Sequence, residues 1–268
     1  MTASARDYNR EHQDDDGPQE EGRLGRKYAY DFDYLHRGYM MRTFDPLLPA
    51  GRALEMGCYK GELTRMLAAR YADLSVIEAA SDLVGVASAA EAPGGGRLGD
   101  RVRFFCSTFE AFTTAERWDA VFLMHTLEHL DDPVAVLRKV NGWLSERGLL
   151  FLVVPNANAP SRQIAVKMGL IAHNAAVTEG EARHGHRRTY TFDTLERDAR
   201  QAGLRVTQRG GVFFKPFANF QFDALMKTDI IDRAYLDGCY ELGMQYPDLC
   251  ASIYLLCARG PDAPAGAR

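Results

Sequence analysis

The stretch R-A-L-E-M-G-C-Y-K-G-E-L, residues 52–63, constrains this chain more than any other. An apolar run stops at Glu55, glycines stand at Gly57 and Gly61, and a helix-forming run starts at Glu62. Strand, tight loop, helix is the reading. Glycine takes positive φ without penalty and lets a ligand come close to backbone. The first helical turn then offers free N–H groups to that ligand. A second acid, Glu78, closes the next apolar run, L-S-V-I-E. A phosphate-binding P-loop carries Lys and Ser/Thr where this loop carries acid. Such a site suits ribose hydroxyls and an ammonium group better than several phosphates.

Strands and helices alternate from there. Apolar patterning predicts strands at 53–55, 74–78, 102–106, 118–124 and 148–154, with helices at 62–71, 82–90 and from Asp132-Pro133 onward. A further helix is expected at 191–203 and strands at 204–209 and 252–258. The run 118–124 is apolar almost throughout, as a strand buried on both faces would be. Alternation of this kind predicts an α/β fold with a mostly parallel sheet, the ligand lying at the carboxyl ends of the strands.

With 268 residues the chain is long enough for one large α/β domain with insertions. Residues 1–25 are polar and acidic and are expected to form a disordered tail. Residues 26–50 are dense in aromatics. They are read as a helical segment, packed on the sheet edge or lying over the site as a lid, with Tyr28 and Tyr34 as candidate ring contacts to an acceptor. The core domain is expected at 51–259, with insertions at about 156–190 and 212–248, and residues 260–268 as a flexible tail. Net charge is −4, so the basic excess of a nucleic-acid footprint is missing. None of the five cysteines forms a C-x-x-C pair, which argues against a zinc knuckle or a disulfide framework. No charged-then-apolar leader and no apolar run near 18 residues is seen. A soluble, cytoplasmic protein with no membrane partner is expected, and a homodimer is left open.

The loop at 55–61 resembles motif I of the class I S-adenosylmethionine-dependent methyltransferases, acidic-x-Gly-x-Gly-x-Gly. Glu55, Gly57 and Gly61 match, while Tyr59 stands at the middle glycine. The run W-D-A-V-F-L-M-H-T-L-E-H-L-D-D-P at 118–133 resembles the family's block of a hydrophobic strand followed by x-x-L-E-H-L-x-x-P. The resemblance spans about 35–259. It implies a Rossmann-like seven-stranded, mostly parallel sheet with an antiparallel final strand and helices on both faces. An N-terminal lid and an insertion before the last strand complete the expected fold.

The resemblance also implies S-adenosylmethionine as cofactor. Glu78 would accept hydrogen bonds from both ribose hydroxyls, the Tyr59 ring would lie over the methionine arm, and Cys58 is a further candidate cofactor contact. Ser107, Thr108 and Phe109 flank the adenine position, where the family's Asp is absent. His125 would face the transferred methyl and contact the cofactor, with Met124 a further candidate cofactor contact. A hydroxyl acceptor needs a base, and His is the natural one near neutral pH. His125, His129 and His186 are the candidates, the last in H-G-H-R-R-T-Y. Lys215 and Asn219 are candidate acceptor contacts.

A similar Glu-x-x-Glu-His block in small-RNA 2′-O-methyltransferases, with a downstream His, holds a Mg2+-type ion, and a similar block occurs in quinone O-methyltransferases. Here Glu128, His129, His184 and His186 offer themselves, although His125 replaces the first Glu. H-T-L-E-H also fits a zinc-peptidase spacing, which needs both histidines on one helix. The favoured function is methyl transfer to a small-molecule hydroxyl of a sugar or secondary metabolite, as in natural product biosynthesis. Rivals are N-methylation of an amino sugar or amino-acid-derived product, RNA 2′-O-methylation, which the charge disfavours, and a non-catalytic cofactor-binding scaffold.

Overall fold

The computed structural model describes residues 6–9 and 30–261. Tyr28, residues 1–5, 10–29 and 262–268 lie outside them, and with them most of the two expected tails. Seven strands form one sheet in the order β3-β2-β1-β4-β5-β7-β6. They are β1 (Arg52–Met56), β2 (Asp73–Glu78), β3 (Val102–Cys106), β4 (Trp118–Met124), β5 (Leu144–Pro155), β6 (Arg205–Phe214) and β7 (Cys250–Ala258). β7 lies antiparallel between β5 and β6, and the other pairings are parallel. This is the Rossmann-like sheet expected from the sequence.

Alternation along the strands builds two cores. Ala53, Val76, Phe122, Phe151 and Val153 point to one face. Leu54, Ile77, Val121, Leu123, Leu150 and Leu152 point to the other, as a side-chain period of two requires. The first face is covered by α1 (Asp31–Phe44), α2 (Glu62–Ala68), α3 (Ser81–Ala89), α8 (Asn219–Met226) and α9 (Arg233–Gln245). The second is covered by α4 (Pro133–Trp143) and α7 (Phe192–Gln201). Two short helices, α5 (Pro160–Lys167) and α6 (Glu179–Arg183), sit in the connection after β5.

The helix ends follow sequence signals. Pro133 opens α4, and Asp132 accepts from the Ala135 N–H. Thr178 and Thr191 form capping boxes at α6 and α7. α1 has a less local cap: the Asp223 carboxylate on α8 accepts from the Asp31 and Phe32 N–H groups at 3.1 and 2.9 Å.

Some boundaries differ from the expectation. α2 stops at Ala68 instead of 71. β6 continues to Phe214, so residues 212–214 belong to the strand and the excursion before β7 starts at Lys215. The glycine pair explains this. Gly210 and Gly211 look like a break, but a Cβ at either would lie within 2.6 Å of Tyr254 or Cys250 atoms on β7. The glycines let two strands pack closely rather than ending one. α1 is also more than a lid: Phe32, His36, Tyr39, Met40, Met41 and Phe44 are buried in the first core. All five cysteines are free. Among the described residues no helix is long and apolar enough to cross a membrane.

Candidate active site

Strand order reverses between β1 and β4, which opens a crevice at their carboxyl ends. The loops after both strands meet there. Gly57 has φ 82°, and a Cβ on it would lie 2.9 Å from Thr126 Oγ1, while that hydroxyl donates to Met56 O at 3.2 Å. Gly61 has φ 87° and caps α2; a Cβ there would press on the Ala87 backbone at 3.1 Å. Tyr59, at the family's middle glycine, takes the same left-handed conformation with φ 48°. The loop therefore keeps the glycine-type path at a strained residue. The Tyr59 ring is partly exposed, with Lys60 Nζ 5.4 Å from its centroid.

Two carboxylates watch this loop. Glu78 is buried, and its oxygens accept from Cys58 N at 3.1 Å and Ala80 N at 3.0 Å. Ser107 N donates to Glu78 O at 3.0 Å, which brings the end of β3 beside it. Ser107 and Thr108 are partly exposed there, whereas the Phe109 ring is buried in the second core. Glu55 is 1% exposed, and neither carboxylate oxygen has a hydrogen-bond partner. Burial raises its pKa to about 8, with Thr64 on α2 offsetting part of the rise and Glu78 adding to it. A buried carboxylate without a partner keeps its proton. Burial likewise pushes the Cys58 thiol up, so it stays protonated.

His125 follows β4 directly with φ 51°, a left-handed turn that His tolerates better than bulkier residues. Its N–H donates to Val153 O at 2.9 Å, and its Nε2 lies 2.7 Å from Ser252 Oγ on β7. Burial holds it neutral far below the usual imidazole range, with His36 and Arg37 adding to the effect. His36 on α1 lies 6.0 Å away, ring centre to ring centre. Its Nε2 is 3.2 Å from Val212 O, an oxygen that only accepts, so Nε2 carries the proton. Burial lowers its pKa to about 3. Arg37, the next residue, lies 3.5 Å from Glu62 at the start of α2. Tyr34 is 39% exposed, with the Arg37 guanidinium 5.4 Å from its ring centre.

A second cluster lies after His125. Residues Leu127–His129 form a 3-10 turn, so His125 and His129 do not share a helix and the zinc-peptidase spacing is coincidental. Glu128 is buried with both oxygens unpartnered, and burial raises its pKa to about 8. One ligand atom each from Glu128, His129 and His186 lies within 4.8 Å of the others. His184 is not part of this group. Burial lowers the His186 pKa to about 4, so its ring is neutral and able to ligate. The segment is tied down by Arg187, which gives its N–H to Glu128 O and its Nε to His129 O, and by Arg188 on Leu130 O.

Lys215 and Asn219 lie at the far end of the crevice, beyond β6. Asn219 Nδ2 donates to Asp33 Oδ1 at 2.8 Å, and its Oδ1 is buried without a partner. Residues 6–9, part of the expected disordered tail, also reach the site. Arg6 donates to His129 O at 2.9 Å, and Asn9 pairs with Ser81 Oγ and the Asp82 N–H at the start of α3. A groove of about 500 Å3 elsewhere, among Asn158, Gln163, Asn174 and Arg209, holds none of the motif residues.

The sequence reading thus finds Glu55, Gly57, Cys58, Tyr59, Gly61, Glu78, Met124 and His125 gathered around one crevice. It missed His36, Arg37, Thr126 and Ser252. His36 and Arg37 carry a signal in hindsight, two basic residues inside an aromatic helix. Ser252 has none, since only β7 pairing brings it to His125.

The Methyltransferase domain family matches residues 28–209. A ubiquinone biosynthesis O-methyltransferase of Aeromonas salmonicida is 29% identical over 179 residues, 67% of this chain and 73% of that one. Its counterpart in Xanthomonas axonopodis pv. citri is 30% identical over 174 residues, 65% and 71% of the two chains. In structure the chain is similar to a possible histamine N-methyltransferase of Thermotoga maritima, with TM-score 0.57 and 16% identity over 85% of this chain and 89% of that one. At that identity the likeness speaks for the fold.

Proposed function

The chain belongs to the S-adenosylmethionine-dependent methyltransferases, and from that premise we propose that it methylates a hydroxyl group of a small molecule. The observation that carries this reading is His125, set by a left-handed backbone beside the switch point of the sheet with Nε2 2.7 Å from Ser252 Oγ. An amine acceptor in its neutral form needs no base, whereas a hydroxyl does. The names of the similar ubiquinone biosynthesis O-methyltransferases support oxygen as the target. They favour a ring hydroxyl, as in a secondary metabolite, over a sugar hydroxyl.

The residues fit the cofactor. The Gly57 and Gly61 positions have no room for a Cβ, and Glu55 is a buried carboxylate awaiting a cation. Bound there, S-adenosylmethionine supplies a sulfonium methyl whose transfer to oxygen leaves a neutral thioether. Glu78 would hold the ribose hydroxyls, Glu55 would take the ammonium, and Arg37 would be the nearby cation for the carboxylate. His125 removes the acceptor's proton. For that it must donate Nε2–H to Ser252 Oγ, which leaves the Nδ1 lone pair free. The enzyme's share is mainly alignment and water exclusion.

Glu128, His129 and His186 fit a divalent ion, which would acidify an acceptor hydroxyl at the cleft. Two imidazoles and one carboxylate form a softer set than the oxygen shell Mg2+ prefers, and suit Mn2+ or Zn2+ better.

The test is methyl transfer from S-adenosylmethionine to phenols, sugars and amines, read by mass spectrometry for wild type and His125→Ala. Phenols should be methylated and the variant should lose roughly 10²-fold or more in turnover. Methylation of amines alone, or an unimpaired His125→Ala, would overturn the reading.

A further inference from the structure

Lys215 follows β6 at the same sheet edge as the cofactor loop but on its far side. From β1 the order runs through β4, β5 and β7 to β6. At about 4.8 Å per strand, its backbone stands roughly 19 Å from the β1 loop. Its side chain turns back toward the crevice. Nζ lies 5.3 Å from the centre of the Phe32 ring on α1. Its charge helps hold both His36 and His125 neutral. Among the described residues the ammonium forms neither a hydrogen bond nor an ion pair. The carboxylate that acts on it most, Asp33, already accepts from Tyr30 N at 2.9 Å and from Asn219 Nδ2 at 2.8 Å. Burial lowers the Lys215 pKa to about 8, with Asp33 offsetting part of the fall. An ammonium resting on an aromatic face, with three donors unused, is a receptor for an anion.

Resting on the methyltransferase reading above, we propose that Lys215 is the specificity-determining residue of the acceptor side and that the acceptor carries a carboxylate or similarly anionic group. The hydroxyl to be methylated then lies toward His125, and the anionic group lies toward the β6 end. The cofactor's own carboxylate is the other anion in reach of the crevice. Its place would be by the β1 loop, near Arg37 and the start of α2, four strands along the sheet from the β6 end.

The experiment titrates the full chain, saturated with S-adenosylhomocysteine, with 3,4-dihydroxybenzoate and with catechol. These rings differ only in the carboxylate. Wild type should bind the acid about tenfold or more tightly than the neutral ring, the scale of a charge-assisted contact. Lys215→Met should erase the difference, and Lys215→Arg should restore most of it. Equal affinity for the two rings, or binding of neither, overturns the proposal, as does a preference that survives Lys215→Met. S-adenosylhomocysteine affinity separates the remaining cases. If it falls in Lys215→Met while thermal stability holds, Lys215 serves the cofactor and the acceptor role is refuted. If wild type itself fails to bind S-adenosylhomocysteine, the methyltransferase reading fails instead.

Discussion

Glu55 is the residue whose chemistry is most legible and most exposed to test. It stands at the end of β1, buried, with two oxygens and no partner, and holds a proton up to about pH 8. Its folded pKa lies above the unfolded value near 4.3, so the folded apo form binds a proton that the unfolded chain has lost. That contribution to stability is complete below about pH 4 and is lost as pH rises through about 8. Cofactor binding reverses the preference, because an ammonium beside Glu55 favours the ionised form. Affinity for S-adenosylhomocysteine should therefore rise between pH 6 and pH 8 with release of up to about one proton, read by titration calorimetry in buffers of different ionisation enthalpy. Glu55→Gln should flatten the profile. A flat wild-type profile would remove Glu55 from the ammonium site. At this scale the sequence spoke through residues adjacent in the chain: Glu55, Gly57 and Gly61 announce a loop. His125 announces itself through its block. Ser252 does not, because its partner lies 127 residues away.

α1 shows where element-level reading stops. Its aromatics promise a helix, but not which side they face. In the fold they are core: Phe32 stacks on Phe222 at 4.5 Å, and Tyr39 on Tyr240 at 5.0 Å. The helix thus reaches the crevice through Asp33, His36 and Arg37 while it is anchored by α8 and α9. Asp223 fixes its start. Asp223→Ala removes the acceptor for two helix N–H groups and should cost about 1–2 kcal/mol. In a chain of this size that lowers Tm by roughly 2–8 °C, measured by thermal melting. An unchanged Tm would show that the helix start is held by packing alone. The β6 boundary was misread for a related reason. A glycine pair signals a turn locally, whereas here it admits the side chains of β7, a contact set about 40 residues further along in the chain.

For the whole molecule, the order of strands and helices was readable because each βαβ unit must close on its neighbour with a fixed hand. The alternating apolar pattern then assigns every strand its two faces. What was not readable is which distant loops meet. The Glu128–His129 turn and His186 come together only when the excursion after β5 folds back, tied by Arg187 and Arg188. If an ion joins them, chelation with EDTA should abolish methyl transfer and Mn2+ or Zn2+ should restore it. Full activity after chelation would leave the cluster a structural hinge of two buried loops. Cofactor binding should survive chelation either way, since Glu55 and Glu78 lie on other elements.

The most direct test of the whole account is calorimetric titration of S-adenosylhomocysteine into wild type and Glu78→Ala at pH 8. The account predicts one site in the wild type and affinity weaker by about tenfold or more in the variant, because two ribose hydroxyls lose a charged acceptor. No heat from the wild type, or equal affinity in the variant, would contradict it.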